Sequence, residues 1–256
     1  MKKVASLRYG VIFRKAFCDP EIFTAFVRDM AGISIEIDRV ETEKEFDPVG
    51  YVKSRFDLYA QDTGNRVIVD IQHERYADHY DRFMHYHIEA ILEQFANARP
   101  PMTVFTIVVM ISDDKHKKDV SVTDFDPRDL KGNPLGEIKH KVIYLCPKYV
   151  SDETPEKYRE WLAAINDTLD EEVEEKAYHR PEIRKIFEHI GKDFVSPGER
   201  ARMFDELLQD EKFAEGKAKG KIKTARKMKA KGYENEEIAE LTGLPPEEIC
   251  KIGVSA

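Results

Sequence analysis

The stretch Asp57-Leu-Tyr-Ala-Gln-Asp-Thr-Gly-Asn-Arg-Val-Ile-Val-Asp-Ile-Gln72 constrains the fold of this chain more than any other. Two runs of strand-forming residues flank the turn-forming cluster Asp62-Thr63-Gly64-Asn65, which predicts a β-hairpin. A turn centred on Thr63-Gly64 sets Asp57 directly opposite Asp70. Residues opposed across an antiparallel pair have Cβ atoms roughly 5 Å apart, and like charges there destabilise the sheet. A fold that keeps two carboxylates in that relation needs a cation between them. The period of two places Gln72 on the face of Asp70 and Val67, Val69 and Ile71 on the other. Two acids and a polar neighbour converging on one spot point to a divalent-metal site for phosphodiester hydrolysis.

The chain has 256 residues, which suits one domain of moderate size with appendages. Its three cysteines, Cys18, Cys146 and Cys250, are odd in number and far apart. That argues against a disulfide framework and for a reducing, cytoplasmic setting. The longest purely apolar run, 107–111, is too short to span a bilayer, and the first residues carry no apolar signal-peptide core. A formal net charge of −8 does not advertise nucleic-acid binding, but the charge is uneven. Residues 152–175 are strongly acidic, whereas residues 211–231 carry nine Lys and Arg against two Glu.

Residues 11–30 predict a helix with Phe13, Phe17, Phe23, Phe26 and Val27 inward, restarted at Asp19-Pro20 and ended by Gly32. Residues 33–46 alternate and predict a first strand, followed by hairpin strands at 51–60 and 66–73. A long helix is expected over 76–98. Its apolar stripe would be Tyr80, Phe83, Met84, His87, Ile91 and Phe95, and Arg82, Tyr86, Glu89 and Glu93 form a second stripe. Pro100-Pro101 stop it. Strands follow at 104–111 and 138–145, which gives an α/β core with a mixed sheet over residues 1–150. Beyond Val150 the pattern is all-helical: a helical region over 151–212, with helices at 154–178 (holding the only Trp, Trp161), near 180–190 and at 197–231. Residues 213–256 combine the basic helix with a small tail of two short helices.

The order α-β-β-β-α-β, with an acid on the second strand and an acid-x-polar triplet on the third, resembles the PD-(D/E)xK nuclease superfamily. Phe46-Asp47-Pro48-Val49, Arg55-Phe56-Asp57-Leu58, Val69-Asp70-Ile71-Gln72, then Asp81-Arg82 and Tyr86, narrow the likeness. They resemble its transposase-associated branch, the recombination-promoting nucleases. The tail from Lys229 to Ile249 is similar to the one common there. The resemblance implies a restriction-endonuclease-like core and a Mg²⁺-dependent endonuclease acting on DNA, with Mn²⁺ as the alternative ion. It implies catalytic roles for Asp57, Asp70, Gln72, Arg82 and Tyr86, with Asp57, Asp70 and the carbonyl of Ile71 holding the metal. Asp70 stands where the family more often has glutamate, and Gln72 where the superfamily has lysine. Glutamine is no general base near neutrality but orients water by hydrogen bonding.

Other signals are less specific. Glu21 is a candidate outer carboxylate or a solvated surface acid. His73, His79, His85 and His87 lack the spacing of a zinc site. The basic run 217–231 is either a nucleic-acid track or a solvated helix. The segment 233–251 has helix-turn-helix spacing, yet it carries six Glu and one Lys, and its second helix opens with Pro246-Glu247-Glu248. That charge suits packing or homo-oligomerisation better than groove reading. The alternative function is a catalytically weak descendant that binds DNA or a protein partner.

Overall fold

The computed structural model describes residues 1–46, 55–72, 79–96, 102–112 and 114–253. Asp47-Pro48-Val49, His73 and Pro100-Pro101 lie outside them. The chain forms two compact units, residues 1–203 and 204–256.

In chain order the first unit holds β1 (Lys2–Lys3), α1 (Gly10–Phe17), α2 (Pro20–Ala31), β2 (Glu41–Glu45), β3 (Arg55–Gln61) and β4 (Asn65–Gln72). Next come α3 (His79–Ala96), β5 (Thr103–Met110), β6 (Val120–Asp124), β7 (Lys141–Leu145), α4 (Glu156–Asp167), β8 (Glu172–Val173) and α5 (Pro181–His189). Helix α6 (Pro197–Ala230) starts in this unit and continues into the second, which adds α7 (Asn235–Thr242) and α8 (Pro246–Lys251).

Local chemistry fixes the element ends. Asp19 caps α2, its Oδ1 accepting from the amides of Glu21 (3.0 Å) and Ile22 (3.4 Å). Gly32 closes that helix in the left-handed conformation at φ 72°. In the β3–β4 hairpin, Asp62 Oδ1 accepts from the amides of Gly64 (2.8 Å) and Asn65 (2.7 Å), an Asx turn that sets the register.

Six strands form one mixed sheet in the order β2-β3-β4-β5-β7-β6. The pairs β2–β3, β3–β4 and β6–β7 are antiparallel, and β4–β5 and β5–β7 are parallel. One face, with Leu58, Val67, Val69, Ile71, Phe105, Ile107 and Val109, packs on α1, α2, α4 and α5 around Phe13, Phe17, Phe26 and Trp161. The other face carries Tyr59, Ile68, Val104, Val108 and Val142 under Phe83 and Ala90 of α3. The architecture is therefore mixed α/β, with helices on both faces of the sheet and a helical C-terminal region.

Several expectations need correction. Residues 33–40 form no strand; Ile33, Ile35 and Ile37 alternate because they dip into the main core, and the first strand of the sheet is the wholly polar β2. An edge strand pairs on one side only and tolerates that composition. Strand β6, the opposite edge, is not among the expected strands although Val120-Ser121-Val122-Thr123 alternates, and β7 begins at Lys141 rather than 138. The helix expected over 154–178 ends at Asp167. There the Thr168 hydroxyl donates to Ile165 O (2.7 Å), and Glu171 at φ 62° turns the chain into β8, which pairs with β1. On α3, Met84 and Phe95 are exposed, whereas Glu89 and Glu93 of the second stripe are buried.

Candidate active site

The hairpin register pairs Leu58 with Val69. Extended by one step, it sets Asp57 against Asp70. Strand β4 alternates as its sequence dictates: Val67, Val69 and Ile71 enter the helix-covered core, while Ile68, Asp70 and Gln72 face α3.

Asp70 is nine-tenths buried. Its pKa lies well above the usual carboxylate range, first because burial penalises the charged form, then because Asp57 is adjacent and in hydrogen-bond contact; Arg82 partly offsets both. Asp57 is fastened at both oxygens. Oδ1 accepts from Arg14 Nη1 of α1 at 2.5 Å, and Oδ2 accepts from the amide of Ile71 at 3.1 Å. Since N–H and C=O of one strand residue point the same way, the carbonyl of Ile71 is also turned toward β3.

Beyond Asp70, Gln72 Oε1 accepts a hydrogen bond from Arg82 Nη2. The guanidinium of Arg82 lies 4.8 Å from the ring centroid of Phe83 and 5.8 Å from that of Tyr86. The Tyr86 ring in turn meets Phe56 and Phe83 edge-on. Asp57, Asp70, Gln72 and Arg82 thus form one connected cluster, and Tyr86 joins it through its ring as a wall for Arg82.

Glu21 is elsewhere: its exposed carboxylate pairs with Lys185 at 2.6 Å, which settles it as a surface acid. His85 is exposed, and His87 is buried against Thr106. Two residues of the cluster escape sequence reading. Arg14 sits on a helix whose other signals are apolar. Glu43 lies on β2 and accepts from both Arg14 Nη2 (3.3 Å) and Arg55 Nη2. Neither contact leaves a local trace, because each joins elements distant in sequence.

The donor set fits a hard divalent cation. Two opposed carboxylates, one desolvated and short of compensating positive charge, together with a peptide oxygen, suit Mg²⁺ or Mn²⁺, and Mg²⁺ commonly binds through one or two carboxylates while keeping waters. Among the described residues no group of three or more His, Cys, Asp or Glu is placed to hold a metal. Comparison of the chain with models of protein families, with curated proteins and with solved structures finds no match.

Proposed function

We propose that this chain is a divalent-metal-dependent DNA endonuclease of the PD-(D/E)xK type, in the transposase-associated, recombination-promoting branch. One observation carries the reading: the opposed Asp57–Asp70 pair on adjacent antiparallel strands, beside the Gln72–Arg82 pair. The arrangement around it supports the same reading, with helices, three antiparallel strands, a covering helix and a parallel fourth strand of the sheet following one another.

In this reading Asp57, Asp70 and the carbonyl of Ile71 hold Mg²⁺, or Mn²⁺ in its place. Such an ion, when bound, lowers the pKa of a coordinated water and neutralises charge developing at phosphorus. The carboxamide of Gln72 orients the attacking water and does not take its proton. Arg82, held beside the Phe83 and Tyr86 rings, supplies the positive charge that lysine supplies elsewhere in the superfamily, and its planar fork suits a phosphate. The same Gln72 favours a second reading, a catalytically silent descendant that binds DNA or a protein partner.

Plasmid nicking with Mg²⁺ or Mn²⁺ separates the two. Wild type is expected to nick, and Asp70→Asn to lose at least a thousandfold in rate, the order expected when the electrostatic centre of a site is removed. Asp70→Asn is also expected to melt higher than wild type without metal and to lose the rise in Tm that Mn²⁺ gives wild type. A wild-type protein that binds DNA yet cuts under no metal establishes the second reading.

A further inference from the structure

Arg14 takes no part in the reaction proposed above, yet it makes the shortest charged contact to Asp57. We propose that Arg14 is a resident counter-cation that competes with the divalent ion for Asp57, and that metal binding passes the guanidinium to Glu43. This rests on the reading of Asp57 and Asp70 as metal ligands.

The sheet register explains why a counter-cation is needed. Leu58 faces Thr42 on β2 and Val69 on β4. One step along β3, Asp57 stands against Asp70; on the other side the ladder skips Glu43, whose carboxylate still lies close enough to share Arg14 with Asp57. Like charges opposed across a sheet repel. Arg14 answers that repulsion, with Nη1 on Asp57 (2.5 Å) and Nη2 on Glu43 (3.3 Å). Its side chain and that of Asp57 are each only 16 % exposed, so their attraction is weakly screened.

Glu43 is shaped for this contact. The β2–β3 ladder pairs Thr42 with Leu58 and Lys44 with Phe56 but skips Glu43, whose φ is +55°. A non-glycine residue in the left-handed region is strained, and such strain persists only where the surroundings enforce it. Here the conformation accompanies a carboxylate bonded to both Arg14 and Arg55.

A dication arriving at Asp57 meets a guanidinium already on the same carboxylate. The two cations repel each other in a weakly screened site, so the ion binds best when Arg14 withdraws. Glu43 offers a second seat that Nη2 already touches. The metal affinity of the pair is therefore set by a residue that need not coordinate the metal.

The test measures binding of Mn²⁺ alone by calorimetry and by thermal shift. Arg14→Met keeps an unbranched apolar stem and removes the guanidinium and its charge. It is expected to lower the metal-free Tm and to tighten the Mn²⁺ Kd at least tenfold, about 1.4 kcal/mol. Where that variant does not fold, Arg14→Gln takes its place. Glu43→Gln removes the second seat and is expected to weaken Mn²⁺ binding in the wild-type background but to have no effect beside Arg14→Met. That non-additivity separates a seat for Arg14 from a direct ligand, which would weaken binding in both backgrounds. Wild-type binding with an equal or weaker Kd in Arg14→Met, or a direct-ligand pattern for Glu43, overturns the inference and leaves the metal reading intact. No Mn²⁺ binding by wild type and Arg14→Met alike, or undiminished binding by Asp70→Asn, overturns the metal reading itself.

Discussion

His87, on the sheet-facing side of α3, is wholly buried, its Nδ1 at 2.8 Å from Thr106 Oγ1 and its ring stacked on Phe125. Burial first, and then the neighbouring His140, lower its pKa to about 3 from the ordinary 6.5. Between those two values the unfolded chain binds a proton at this residue and the folded chain does not. Stability therefore rises with pH through that window and is level, for this residue, above it. From pH 6.5 down to pH 5, His87 alone is expected to cost about 2 kcal/mol, at about 1.4 kcal/mol per pH unit. Urea unfolding at pH 7.5 and pH 5.0 should show that loss in wild type and its absence in His87→Gln. Equal losses in both would place the acid sensitivity elsewhere. At this scale the sequence was a good guide to where Asp57, Asp70 and Gln72 stand on the hairpin, because a turn and a period of two are local properties. His87 was legible only as one of an apolar stripe. Arg14 and Glu43 could not be read at all, since their meaning depends on which strand lies beside which.

Helix α3 shows how an element can be located correctly and oriented only in part: Phe83 and His87 of its apolar stripe are buried, Met84 and Phe95 are exposed. Its sequence sets Arg82, Tyr86, Glu89 and Glu93 along one row, and a row of charges normally faces water. Here that row is drawn toward the sheet. Arg66 on β4, fully buried, donates from Nη1 to Glu93 at 2.7 Å and to Ala90 O at 2.8 Å. Its guanidinium also lies 5.1 Å from the Phe46 ring centroid and 5.7 Å from that of Tyr59. A buried charge on one element thus fixes which face of another is inside, and hydropathy patterning carries no record of that. The same docking brings Arg82 to Gln72. Breaking a buried ion pair from one side leaves an uncompensated charge and costs about 3–5 kcal/mol. Arg66→Met is expected to lose that much in urea unfolding, and Arg66→Met with Glu93→Met to recover most of it. A double variant as unstable as the single one would mean that Arg66 acts through packing rather than through its charge.

At the scale of the whole chain, the second unit poses a separate question, because it joins the most basic run to an acidic tail. Ile238, Leu244, Ile249 and Ile252 of the tail pack with Ile222, Ala225 and Met228 of α6. The ammonium of Lys229 donates to the carbonyls of Ile249 (2.7 Å) and Ile252 (3.1 Å), where a cation complements the end of α8. Part of the basic run is thereby spent on holding the tail, while Lys217, Lys219, Lys223, Arg226 and Lys227 remain exposed. The two short helices and their glycine turn at Gly243 (φ 62°) were legible, because caps and breakers are local. Their docking was legible only as a set of apolar residues in search of a partner. Since α8 presents Glu247 and Glu248 to solvent, as a groove-reading helix it would meet phosphates with like charge. On the nuclease reading proposed above, deleting residues 232–256 is therefore expected to leave any DNA affinity unchanged or slightly tighter, with the same salt dependence and no change in sequence preference. It uncovers Ile222, Ala225 and Met228, so light scattering should report a larger mass or reduced solubility. A sequence-dependent loss of DNA binding at unchanged mass would make the tail a DNA reader instead.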